Sequence, residues 1–114
     1  MKICLENDDR ISVTDDRIEV YAGNEKYCFD RSEIEEIIIL TTDLGPFYDD
    51  MCLAIRIDRE EDTAIFIMSG HPLYSTFLFD ELKQIVDLDF QAIIEASACT
   101  ENKMFLLYRR QAGD

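Results

Sequence analysis

Glu35-Glu36-Ile37-Ile38-Ile39-Leu40-Thr41-Thr42-Asp43-Leu44-Gly45-Pro46-Phe47-Tyr48-Asp49-Asp50 is the stretch on which the fold turns. The run Ile37–Leu40 is almost entirely β-branched, which favours extended backbone. Successive strand side chains point to opposite faces, so this run is apolar on both sides of its strand and predicts a buried position. The chain then passes into turn chemistry. Thr42 and Asp43 can satisfy backbone groups at a strand end, Gly45 can take positive φ, and Pro46 fixes the φ that follows. Two aromatics and two carboxylates come next.

Regions on either side read as strands. Upstream, Lys2–Glu6 and Arg10–Thr14 are short strands joined by Asn7-Asp8-Asp9. Arg17–Tyr21 alternates, with Ile18 and Val20 on one face, and Asp15-Asp16 makes the tight turn of a hairpin. Ala22-Gly23-Asn24-Glu25 is a second turn, with Gly23 and Asn24 suited to positive φ, before the strand Lys26–Phe29. Ser32-x-x-Glu35 has the form of a capping box for one helical turn ahead of Ile37–Thr41. Downstream, Met51–Asp58 places Leu53, Ile55 and Ile57 on one face and Cys52, Ala54, Arg56 and Asp58 on the other. Thr63–Met68 returns as its hairpin partner.

After the breaker Ser69-Gly70-His71-Pro72 the period changes. Tyr74, Phe77, Leu78, Leu82 and Ile85 recur at helical spacing. Asp87 and Asp89 can each cap a second helix with Phe90, Ile93 and Ile94 as its buried stripe. Lys103–Arg109 is a last strand, apolar on both faces, for an interior position or a covered edge. Strands, then two helices, then a strand predict a single α+β domain over 1–114: a bent, mostly antiparallel meander of about seven strands capped by the helices.

Composition narrows the functions. The chain has 114 residues, enough for one domain, with 47% hydrophobic and 32% charged residues. It holds 25 acidic against 11 basic residues, a formal charge of −14. That charge repels nucleic acid and anionic membranes and attracts basic protein surfaces. No run approaches the roughly 18 apolar residues of a membrane span. The opening residues, which turn acidic at once, show no signal-peptide core, so the expected location is cytoplasmic. Cys4, Cys28, Cys52 and Cys99 form no C-x-x-C pair, and Cys4, Cys28 and Cys52 read as buried structural thiols.

No catalytic constellation stands out, and no cofactor or metal is expected. His71 is the sole histidine. It sits between Gly70 and Pro72, where a turn role outweighs a dyad with Ser69 or Ser75. There is no glycine-rich phosphate loop. The pairs Asp8-Asp9, Asp15-Asp16 and Asp49-Asp50 fit solvated turns as well as acid–base chemistry. Asp43 with Asp49 and Asp50 could offer oxygens to a hard cation, but the spacing matches no EF-hand loop.

The order of elements resembles a pleckstrin-homology-like roll, although the strand after the helices departs from that family's pattern. A second resemblance rests on Thr41-Thr42-Asp43-Leu44-Gly45-Pro46-Phe47-Tyr48-Asp49-Asp50, on Phe79-Asp80-Glu81-Leu82-Lys83-Gln84 and on Leu88-Asp89-Phe90. Together these are similar to a family of small uncharacterised bacterial proteins with a Thr-Thr-Asp-x-Gly-Pro-Phe-like loop. The likeness spans residues 30 to 110 and implies a fold and a bacterial origin, with no assigned catalytic residues.

The expected function is therefore an acidic protein-binding module, in concrete form a bacterial immunity protein or inhibitor masking a basic toxin or nuclease. Phe47 and Tyr48 would be the anchors, with Asp43, Asp49 and Asp50 as the charged surround. The alternatives are a small ligand-binding domain or enzyme using the sheet–helix cleft, and a homo-oligomer associating through the exposed face of Lys103–Tyr108.

Overall fold

The computed structural model describes residues 1–41, 51–59, 62–99 and 101–110. The class is α+β, with the strands in two sheets. The strands are β1 (Lys2–Cys4), β2 (Arg10–Thr14), β3 (Arg17–Ala22), β4 (Glu25–Asp30), β5 (Ile34–Thr41), β6 (Met51–Ile57), β7 (Thr63–Met68) and β8 (Lys103–Arg109). A five-stranded sheet runs β1-β7-β6-β5-β8 and a three-stranded sheet runs β2-β3-β4. This corrects the expected single meander of about seven strands. The reason lies in β5. Its two apolar faces are best served at the inside of a sheet, and β6 and β8 flank it on either side, so β4 is left with β3 alone. A second departure is β1, which pairs in parallel with β7 rather than with β2.

The three-stranded sheet follows its turn residues. Asp15 and Asp16 both hold positive φ, 50° and 61°, the mark of a type I′ hairpin turn. Gly23 has φ +62° while Asn24 is not among the positive-φ residues, as in a type II′ turn. Between the sheets, Arg31–Glu33 forms a single 3₁₀ turn. Its cap is not the expected Ser32-to-Glu35 box: the Glu33 side chain accepts from the Asp30 N–H at 3.0 Å. Ile34 is fully buried and already begins β5, which ends the turn before Glu35.

The helical region is irregular at first. A short α turn (α1, Tyr74–Thr76) runs into a π segment (Phe77–Glu81) and a 3₁₀ segment (Leu82–Gln84). Tyr74, Phe77, Leu78, Leu82 and Ile85 are all buried, as their spacing predicts. Asp89 caps α2 (Phe90–Ala98), accepting from the Ala92 N–H at 3.1 Å. The expected stripe on α2 is only partly right: Ile93 and Ala96 are buried, but Phe90 and Ile94 face outward.

One core joins these layers. The inner face of the large sheet contributes Ile37, Ile39, Leu53, Ile55, Ile65 and Ile67; the small sheet gives Ile11, Ile18, Val20 and Phe29; the helices give Phe77, Leu78, Leu82 and Ile93. No helix among the described residues is long and apolar enough to cross a membrane.

Candidate functional site

The residues expected to bind a partner, Asp43, Phe47, Tyr48, Asp49 and Asp50, lie outside the described residues. The strand ends that carry them are well anchored. Thr41 and Met51 are paired across β5 and β6. The Thr41 hydroxyl donates to the Glu101 carbonyl at 2.7 Å and accepts from the Lys103 N–H at 3.2 Å. The Ser69 N–H donates to the Met51 carbonyl at 2.9 Å. The β5–β6 connection therefore starts from a point where β5, β6, β7 and β8 are tied together.

The other polar candidates are used by the fold. Asp9 accepts from the Glu6 N–H at 2.8 Å and the Gly23 N–H at 3.1 Å. These bonds, the one from Glu6 first, hold its carboxyl below the ordinary value. His71 is buried, and both ring nitrogens serve the backbone. Nδ1 accepts from the Leu73 N–H at 3.0 Å, which leaves Nε2 to donate to the Glu6 carbonyl at 2.9 Å. The imidazole thus stitches the β1–β2 connection to the turn before α1, and neither nitrogen is spent on Ser69 or Ser75. Among the described residues, no three His, Cys, Asp or Glu side chains converge. All four thiols are free. The expectation of buried thiols is corrected for Cys4 and Cys28, which are exposed because they sit on the outward faces of edge strands.

Two surfaces stand out among the described residues. The first is a cleft of about 760 Å³ between the segment Lys83–Asp89 and β8. Arg31, Lys83 and Arg109 line it together with Asp87 and Asp89. The Asp89 N–H donates to the Leu107 carbonyl at 2.9 Å, closing the cleft floor against the free edge of β8. Its cations come from three distant parts of the chain, so no local spacing marks them in the sequence.

The second is the outer face of the five-stranded sheet. Strand pairing aligns Met104, Leu40, Cys52 and Met68 in one row, and Leu106, Ile38, Ala54, Phe66 and Cys4 in the next. None of these packs into the core cluster. Ile38 and Ala54 in the middle of this face are buried, while Met104 is 67% exposed and Leu106 41%. Both are on β8, which takes the sheet edge, the second of the two positions its apolar faces allow. The third row is ionic: Glu36 lies between Arg56 at 2.7 Å and Arg109 at 3.3 Å, with Lys2 further along.

Compared with protein-family models, with curated proteins and with solved structures, the chain matches none of them.

Proposed function

We propose that the chain is an acidic protein-binding module that masks a basic partner, as a bacterial immunity protein or inhibitor does. The distribution of its cations is the observation that carries this reading. Arg56, Arg59, Arg109 and Arg110 are tied to Glu36, Glu33 and Asp58 within the fold. Many carboxylates, such as Asp15, Asp16, Asp80 and Glu95, face solvent. With a net charge of −14, the field outside the molecule attracts cationic surfaces and speeds their encounter.

The test is capture on immobilised protein at low salt, followed by reconstitution with the purified partner. A basic protein whose association rate falls steeply with added salt is the expected result. Capture of nothing reproducible, or a complex indifferent to salt, ends the proposal.

The cleft supports a second reading, a small anionic ligand. Its volume of about 760 Å³ is within the range of ligand sites, and neither Arg31 nor Lys83 has an ion-pair partner among the described residues. A thermal-shift screen of inorganic phosphate, citrate and nucleotides should then find a stabiliser whose effect disappears in Lys83→Ala.

A further inference from the structure

We propose that the outer face of the five-stranded sheet is a homodimer interface, and that a second copy of this chain covers it. The face is apolar over two of its three described rows, from Met104 and Leu106 at β8 across Leu40, Ile38, Cys52 and Ala54 to Met68, Phe66 and Cys4. No described helix or strand packs on it. Antiparallel strands with one face on the core normally alternate apolar-in with polar-out, and in β5 to β8 two of the three outward rows are apolar instead. Met104, Leu106 and Met68 leave exposed apolar surface at its margins, and clustered exposed apolar surface marks association sites.

Two arguments favour a second copy. The first is charge. A molecule carrying −14 repels its own copies over most of its surface. Among the described residues of this face Lys2, Arg56 and Arg109 stand against Glu35, Glu36 and the nearby Asp62, so the two signs balance where two copies would meet. The Arg109–Glu36–Arg56 ladder also presents both signs, which an isologous two-fold contact can match with itself.

The second is area. Five strands about 4.8 Å apart give a face about 24 Å wide, and six residues of strand give about 20 Å of length. Two such faces remove on the order of 1,000 Å² from water, the lower bound for a specific interface. Sheet-on-sheet packing about 10 Å apart provides the geometry. An area at this lower bound fits a reversible dimer, and it leaves the three-stranded sheet and the helices outward and acidic. This inference does not depend on the basic partner, because it is read on the purified protein alone.

Sedimentation velocity from low to high micromolar concentration should show a monomer–dimer equilibrium. Added salt should tighten it several-fold by screening repulsion between copies, opposite to its effect on a basic partner. Leu106→Asp should sediment as a monomer with an unchanged circular dichroism spectrum. Ile94→Asp, at an exposed α2 position off the face, should dimerise as the parent does. In the unmodified protein, alkylation of Cys4 should slow several-fold as dimer forms. Cys28, on the outward face of the other sheet, should keep its rate and serves as the internal control. A monomer at every concentration overturns the proposal. So does a dimer in which Cys4 stays as reactive as in the monomer, or one that survives in folded Leu106→Asp.

Discussion

Asp15 and Asp16 hold φ values of 50° and 61°, a region that costs most residues free energy and costs glycine little. The hairpin needs that geometry because a type I′ turn matches the twist of β2 and β3. Asp16→Gly should therefore stabilise the protein by about 0.5–1 kcal/mol, read as a higher urea midpoint at constant slope. His71 shows the reverse case, a side chain whose removal leaves backbone groups without partners. His71→Ala deprives the Leu73 N–H and the Glu6 carbonyl of their partners, for an expected loss of about 2 kcal/mol in urea unfolding. His71→Asn, which restores one acceptor near the Leu73 N–H, should recover part of it. In the sequence, Asp15-Asp16 was readable as a turn because its dipeptide carries the turn chemistry. The partner of His71 is Glu6, far away in sequence, and no local pattern points to it.

Between elements, a small set of polar contacts fixes how the two sheets meet. Arg59, just past β6, donates to both Glu33 carboxyl oxygens at 2.6 Å and 3.2 Å and to the Cys28 carbonyl at 2.8 Å. Its guanidinium also lies 4.6 Å from the centroid of the buried Phe29 ring. The Arg59 bond holds the Glu33 carboxyl below the ordinary carboxylate value, and the Arg56 bond does the same for Glu36. A carboxyl depressed in the folded state contributes stability that is complete above its unfolded value and is lost as pH falls through the folded one. Stability should accordingly decline as pH falls through the ordinary carboxylate range and below it. Glu33→Gln should be less stable at neutral pH by about 1 kcal/mol, the half-exposed pair being screened by water. It should also show a shallower decline into acid, checked by urea unfolding at neutral and acidic pH. At the other end of β5, the buried Thr41 hydroxyl donates to the Glu101 carbonyl just before β8 and accepts from the N–H of Lys103, its first residue. Thr41→Val keeps the shape and strands those groups, so a cost of about 1–2 kcal/mol is expected by the same measurement. Element types were legible here from period alone, as in the alternation of Met51–Ile57. The cap was not: Ser32-x-x-Glu35 satisfies the motif, but burial of Ile34 fixed the start of the strand and passed the capping role to Asp30 and Glu33.

For the molecule as a whole, the charge of −14 is spread over a body with a radius of gyration of 13.6 Å. Self-repulsion at that density destabilises the compact state. Moderate salt should raise the urea midpoint, although the individual surface ion pairs weaken under the same screening. A fall in the midpoint with salt would instead mean that the Arg56, Arg59 and Arg110 pairs outweigh the long-range field. Thermal or urea titrations across salt concentrations decide between the two.

Composition, periodicity and turn chemistry determined by themselves that this chain makes an acidic α+β domain, where most strands lie, and that Ile37–Leu40 would be a buried strand. These properties depend on near neighbours along the chain, so a linear reading reaches them. Strand order, the split into two sheets, the parallel docking of β1 on β7 and the edge position of β8 came only with the tertiary structure. They depend on which apolar faces find each other across long stretches of sequence. Lys103–Arg109 shows the difference: its sequence correctly announces two apolar faces, and packing covers one of them with α2 while leaving Met104 and Leu106 on the other.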